Sequence, residues 1–281
     1  MELWLTLAIL CYASHAISST IDKTMMNRGN TPLTVNSIKM LYDGIILLII
    51  GAVFFNLRFT VDSVLWALLL GGLYAISGIL YFNTLKLKDA AVAIPYLQSA
   101  TLLLTFLGSV LFLHENPNAF NYAGIVLIFM GVYALFIEKG VRLPKMTRTF
   151  FIMAGAIIVM TIYSLLAKNL VDQIEPINLA IMMYFSSALF LFFYIVAFKK
   201  HDGTKIFKSP RLIIAAFFGA MGTFLLYSAL QVGEASQVYP IAGLQSVFIF
   251  LLASFFLKEK FYWHRLAGVI TVVIGIYLIS I

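Results

Sequence analysis

The sequence predicts an all-α integral membrane protein: ten transmembrane helices built as two inverted five-helix repeats. Three observations carry this. First, 62% of the 281 residues are hydrophobic and only 11% charged, 19 Lys and Arg against 12 Asp and Glu. A soluble domain carries roughly 25% charged residues, so a soluble enzyme, a DNA-binding domain and a disulfide scaffold are excluded. Second, the apolar residues fall in runs of about 20, the length of a bilayer-spanning helix. Third, landmarks of the first half recur in the second at a nearly fixed offset.

The spans, in order, cover 3–21, 33–55, 63–84, 90–113, 119–138, 150–170, 177–198, 211–231, 236–257 and 262–280. The first begins MELWLTL, with Glu2 where a signal peptide carries basic residues and no clear small-residue cleavage site, so it reads as a retained span. The second holds the ionisable pair Lys39 and Asp43. The third and eighth are rich in Tyr, Ser and amide groups. The fourth and ninth each carry a proline five residues in. The fifth and tenth are patterned by glycine. The longest connections are 140–148 and 199–211. Runs of this length, not ten-residue alternating strands, indicate a helical bundle and not a β-barrel. Cys11 is the one cysteine, which excludes an internal disulfide and a cysteine-based metal site.

Net charge is +7. In a membrane protein this excess reflects basic residues retained in cytoplasmic loops, not nucleic-acid binding. The loops after odd-numbered spans hold 16 of the 19 Lys and Arg: Lys23 and Arg28, Lys86 and Lys88, four over 139–148, five over 199–211, and Lys258, Lys260 and Arg265. The other side holds Arg58 and Lys168, and Lys39 lies within a span. The positive-inside rule therefore places the odd loops in the cytoplasm and both termini outside.

The repeat is read from shared landmarks. Ala90 followed by Ala-Val-Ala-Ile-Pro at 91–95 matches Ala235 followed by Ser-Gln-Val-Tyr-Pro at 236–240, a shift of 145. Glu115, Gly124, Gly131 and Tyr133 recur at a shift of 144 as Glu259, Gly268, Gly275 and Tyr277. Lys23, Pro32 and Tyr81 match Lys168, Pro176 and Tyr227 at shifts of 145, 144 and 146. The repeats are placed at 1–139 and 148–281. Five spans is an odd number, so the second copy is upside down relative to the first. That is an architecture of alternating-access transporters, with the substrate site near the midplane where the halves meet.

On these residues each half resembles one EamA unit of the drug/metabolite transporter superfamily. The shared pattern is Tyr-x3-Leu, Ala-x4-Pro and Glu-x8-Gly-x6-Gly. Here it is Tyr81, Leu85, Ala90, Pro95, Glu115, Gly124 and Gly131, then Tyr227, Leu230 (one place early), Ala235, Pro240, Glu259, Gly268 and Gly275. The resemblance covers nearly the whole chain. It implies a ten-helix carrier of small metabolites, often an exporter, with a cavity lined by helices 1–4 and 6–9 and with helices 5 and 10 peripheral. It also implies cytoplasmic termini, against the charge distribution; the orientation kept here is that of the charges.

Ionisable groups inside a span cost about 2.5–3.5 kcal/mol on insertion scales. Lys39 and Asp43 lie four apart on one helix face, where they can pair. Asp43 sits at the midplane and cannot snorkel, which makes the two candidates for substrate binding and Asp43 a candidate for proton coupling. His15, on a polar face with Ser14, Ser18 and Ser19, is the second proton-coupling candidate; a single interhelical hydrogen bond is the plainer role. Pro95 and Pro240 remove a backbone donor at equivalent places and are hinge candidates. Around them Tyr96, Gln98, Ser99, Tyr239, Gln245 and Ser246, with Tyr74, Ser77, Tyr81 and Asn83 on the third span and Tyr227, Ser228 and Gln231 on the eighth, are expected to line a cavity. Of these Tyr74, Ser77, Tyr81, Tyr96, Gln98, Tyr227, Tyr239 and Gln245 join Lys39 and Asp43 as substrate-binding candidates. Glu115 and Glu259 are read as structural, each capping the N-terminus of the helix that follows it.

No phosphate-binding loop, zinc-protease motif or nucleophile elbow is present, and no catalytic, metal or cofactor residue is assigned. Transport is then driven by a gradient or by exchange. The sequence points to a secondary transporter in the cell membrane, monomer or homodimer, that moves a polar or zwitterionic solute such as an amino acid. Flipping a lipid-linked sugar is the alternative within transport. A membrane-embedded enzyme and a non-transporting accessory protein are the alternatives outside it.

Overall fold

The computed structural model describes residues 2–26, 31–85, 90–136, 148–198, 209–256 and 263–281; within these the side chains of 23, 26, 32, 82–98, 136, 149, 253–256 and 263–265 are outside the description. Among the described residues the chain forms ten helices and no strand. They are α1 (Leu3–Met26), α2 (Pro32–Phe54), α3 (Val61–Leu85), α4 (Ala90–Phe112), α5 (Ala119–Phe136), α6 (Arg148–Val171), α7 (Pro176–Ala197), α8 (Pro210–Val232), α9 and α10 (Trp263–Ile279). Helix α9 is in three parts: an α-turn at Ala235–Val238, a 3-10 turn at Tyr239–Ala242 and an α-helix at Gly243–Phe256. Seven described segments are long and apolar enough to cross a bilayer, and Ser99–Phe112, Ala119–Leu135 and Leu266–Ile279 are shorter apolar stretches of the remaining three. The protein is a multi-pass membrane protein.

Local chemistry sets the helix starts. Prolines open α2, α7 and α8, where the missing N–H has no intrahelical partner to lose. Reciprocal caps open α3 and α5. The Thr60 N–H donates to Ser63 Oγ and the Ser63 N–H to Thr60 Oγ1, while Asn118 and Asn121 exchange the same pair of bonds.

The packing follows the repeat. Helix α1 lies along α8 and α3 along α6; α1 meets α9 and α6 meets α4; α2 pairs with α7, and α5 with α10. Advancing each helix number by five exchanges these pairs or returns them to themselves, as a pseudo-two-fold axis requires. The glycine stripes show it at atomic scale. A Cβ on Gly124 would stand 2.6 Å from the Gly275 carbonyl oxygen, and one on Gly131 would stand 2.8 Å from that of Gly268. Each contact is the repeat image of the other, so the two stripes recognise each other and bring the α5 and α10 backbones together. Asn121 closes the end of this seam by donating to the Ile279 carbonyl at 3.0 Å.

Candidate substrate and coupling site

The interior of α1, α2 and α8 carries the charges. Lys39 and Asp43 lie on the face of α2 that meets Gly219 of α8: a Cβ there would stand 3.2 Å from Lys39 Cε, 3.2 Å from Asp43 Oδ1 and 3.3 Å from Ser18 Oγ. The absence of a side chain at Gly219 makes the space for both. Lys39 does not take the partner expected from its own helix. Its ammonium donates to Asp22 Oδ2 of α1 at 2.5 Å. Helix α1 runs to Met26, past the end expected near residue 21, and this extra turn carries Asp22 inward. Asp43 is 1% exposed, and neither of its carboxylate oxygens has a hydrogen-bond partner. Asp22 Oδ1 is also buried without one.

His15 lies further along the α1–α8 seam. Its ring rests on Gly222, where a Cβ would stand 2.9 Å from Nδ1 and Cε1. Ser18 ties the same seam by donating to the Ala215 carbonyl at 2.7 Å. Ser19 accepts from Gln245 Nε2 of α9 at 3.4 Å, which places Gln245 at the edge of this group.

Next to the charges stands a cluster of tyrosines. Tyr74 of α3 and Tyr163 of α6 have ring centroids 5.1 Å apart. The Tyr163 and Tyr227 hydroxyls are hydrogen-bonded at 2.9 Å, and Tyr239 donates to the Ser164 carbonyl at 2.7 Å. Tyr184 of α7 shares a hydrogen bond with Thr223 at 2.6 Å and donates to the Gly219 carbonyl at 3.2 Å, joining the tyrosines to the charged group. Ser77 spends its hydroxyl on the Tyr74 carbonyl. Tyr81 lies apart, against Met153, Ala156 and Ile157.

Tyr74, Tyr227 and Tyr239 therefore fall in one tyrosine cluster with Tyr163 and Ser164, Tyr184 reaches Gly219 beside Lys39 and Asp43, Gln245 meets Ser19, and Tyr81 lies apart. Tyr96, Gln98 and the side chain of Pro95 lie outside the described residues, as does Glu259. The two proline helices differ: at Pro240 the α-helix gives way to the 3-10 turn of α9, whereas Pro95 falls within the continuous run of α4. Asp22, Tyr163 and Tyr184 belong to the group without having been singled out by sequence. Asp22 had a signal, since an acidic residue one place past a polar helix face remains on that helix if it extends one turn. The two tyrosines had none.

Glu115 corrects its expected role. It caps not the helix after it but α9 in the other half: its two carboxylate oxygens accept from the Ala235 and Ser236 N–H groups, both at 2.7 Å. At the same end Trp4 of α1 packs on Gly233, before α9, where a Cβ would stand 2.7 Å from Trp4 Cβ. Lys168 of α6 donates to the Leu230 carbonyl of α8 at 2.8 Å. This end of the bundle is cross-tied between α1, α6, α8 and α9.

The model of the EamA-like transporter family matches the chain twice, over residues 2–137 and 147–281. An uncharacterized protein of Methanocaldococcus jannaschii is 38% identical over 69 residues, which are 25% of this chain and 50% of that protein; the chain thus matches half the length of that relative. A crystal structure aligns with a TM-score of 0.78 over 99% of this chain and 97% of that one, at 16% identity, a likeness of fold.

Proposed function

The chain belongs to the EamA-like transporter family, and we propose that it is a secondary active transporter that moves a small polar or zwitterionic organic solute, an amino acid or similar metabolite, by alternating access. The observation that carries the reading is the polar interior. Charged and hydroxyl groups from α1, α2, α3, α6, α7 and α8 converge where helices of the two repeats meet, while the surrounding core is apolar. A buried charged group in a membrane bundle is retained at a cost of several kcal/mol, and a solute pathway gives it a use. Lys39, Asp43, Tyr74, Tyr227, Tyr239 and Gln245 are the proposed contacts, and Pro240 the proposed hinge.

In this reading the cross-tied end is the closed gate. By the charge distribution it faces outside and carries both termini, with the basic loops in the cytoplasm of a plasma-membrane protein. Export or exchange then begins from the Asp22 end. The carrier needs no enzymatic step: every proposed contact binds, and none is a nucleophile placed beside a base.

The test is flux. The purified chain, reconstituted in liposomes and offered a panel of amino acids and amines, is expected to carry at least one of them down an imposed gradient. Intact protein that neither binds nor moves any solute overturns the reading. A reporter at the C-terminus found in the cytoplasm overturns the orientation alone.

A further inference from the structure

We infer that Asp43 is the seat of a cationic group, the ammonium of a transported amine, and that it carries a proton when the amine is absent. This rests on the transport reading above and names its substrate class and coupling. The argument is charge balance. Asp22, Lys39 and Asp43 bring two carboxylates and one ammonium into the bilayer, and the ammonium is committed to Asp22 at 2.5 Å. Asp43 is left with both oxygens unpartnered and 1% exposure. An ionised carboxylate in that position forfeits several kcal/mol of hydration with no hydrogen bond in return, and the one nearby ammonium, Lys39, is already bonded to Asp22. It must bind a cation or a proton.

Among the described residues the groups around it supply no cation besides Lys39. Helix α8 presents Gly219, whose carbonyl accepts from Tyr184 of α7, and α3, packed against α7, carries Tyr74. Helix α1 presents Ser18 and Asp22, and its His15 lies further along the seam on Gly222. Tyrosine rings attract an ammonium as well, and α3 and α7, which pack against α2, carry Tyr74 and Tyr184. Packing alone does not call for an acid here. The repeat counterpart of Asp43 is Ser187, whose hydroxyl donates to the Gly71 carbonyl at 2.8 Å, so a neutral side chain fills the equivalent place.

The exchange balances. An ammonium R–NH3+ arriving at the protonated carboxyl displaces its proton, Asp43 becomes the carboxylate partner of the ammonium, and the O–H proton leaves to solvent. The cluster is electrically neutral before and after. Outward movement of the amine is then coupled to inward movement of a proton.

The experiment is proton release on binding. Full-length protein in detergent and dilute buffer, with a pH indicator, is titrated with a series of primary amines, with a polyol, with a carboxylate and with Na+. Amines are expected to release about one proton for each molecule bound, and the polyol and carboxylate none. Asp43→Asn and Asp43→Ser, the latter copying the second repeat, are expected to abolish the release and to weaken amine binding by about tenfold or more. In the unmodified protein the infrared difference spectrum on adding amine is expected to lose a protonated-carboxyl band, a reading that needs no variant to fold. Amine binding without proton release, release unchanged in the Asp43 variants, release by Na+ alone, or an unchanged carboxyl band overturns the assignment. Flux of a neutral or anionic solute that is indifferent to Asp43→Ser also overturns it while leaving the transport reading intact. Absence of flux for every solute removes the transport reading first.

Discussion

Helices α2 and α7 open at Pro32 and Pro176, an offset of 144, and α1 and α6 open at Leu3 and Arg148, an offset of 145. Each charged residue of the first repeat therefore has a counterpart in the second. Asp22 corresponds to Ala167, Lys39 to Met183 and Asp43 to Ser187. Ala167 and Met183 are fully buried in the apolar core, and Ser187 is satisfied by the Gly71 carbonyl. One backbone frame thus holds two chemistries, and the neutral one meets every demand of packing. The frame does not need the charges, which is the physical ground for assigning them to solute and coupling.

Turning the first repeat into the second gives the largest expected effect. Lys39→Met removes the partner of Asp22 and leaves that carboxylate inside the bundle without a cation. Removing one member of a buried pair costs about 3–5 kcal/mol, whereas replacing both by apolar groups is often near neutral. The single variant is expected to lose both flux and much of its thermal stability in detergent. The double variant Asp22→Ala with Lys39→Met is expected to regain the melting temperature without regaining flux. A double variant as unstable as the single one would mean that the pair holds the fold, and the contrast between the repeats would lose its functional meaning.

Glu115 sharpens the comparison at the other end of the bundle. It sits in the first repeat but holds the first two N–H groups of α9, two charge-assisted bonds across the pseudo-symmetry axis. A bond to a charged acceptor has a net worth of about 1.5–3 kcal/mol, less where the group stays partly in contact with water. Glu115→Ala is expected to cost about 2–3 kcal/mol of stability and to raise labelling of cysteines introduced beside Trp4, on the closed side. Glu115→Gln, which keeps one acceptor oxygen, is expected to fall between. Equal labelling in all three proteins would show that the contact caps a helix without closing a gate.

What the sequence made legible has a physical pattern. The α5–α10 seam was readable because a backbone-to-backbone contact tolerates only glycine, so Gly124, Gly131, Gly268 and Gly275 had to recur at fixed spacing. Lys39 and Asp43 were readable because charge inside an apolar run is costly and stands out. Their pairing was not, because the choice between Asp43 and Asp22 depends on where α1 ends and how it leans on Gly219. Tyr163 and Tyr184 were silent, since a tyrosine in an apolar helix has the same local pattern whether its hydroxyl meets another helix or the membrane surface. The target of Glu115 was silent as well: the sequence placed a carboxylate at a helix end, and only the fold brings α9, and not α5, to it.

The seam offers a smaller effect with an internal control. Gly131→Ala would force a methyl to 2.8 Å from both the Gly268 oxygen and Val272 Cγ2. Overpacking of this kind costs about 1–3 kcal/mol. Gly155 of α6 has 3.8 Å to its nearest neighbour, Leu80 Cδ1, so Gly155→Ala is expected to be neutral or to stabilise by about 0.5–1 kcal/mol through helix propensity. Equal melting temperatures for the two variants would show that the glycine contacts are incidental to the pairing of the repeats.

The smallest expected effect lies opposite Asp43. Ser187→Ala removes one neutral hydrogen bond to Gly71, whose carbonyl remains within its helix, so the loss is about 0.5–1.5 kcal/mol. Flux and its dependence on pH are expected to be unchanged, because Ser187 carries no exchangeable charge and lies on the α3–α7 contact, away from Asp22 and Lys39. Asp43→Ala is expected to abolish the pH dependence even where stability falls no further than in Ser187→Ala. Measured together, the pair separates a structural hydroxyl from a working carboxylate at one position of the repeat. If Ser187→Ala altered the pH profile as much as Asp43→Ala, the coupling would belong to the frame shared by the two repeats and not to the charges of the first.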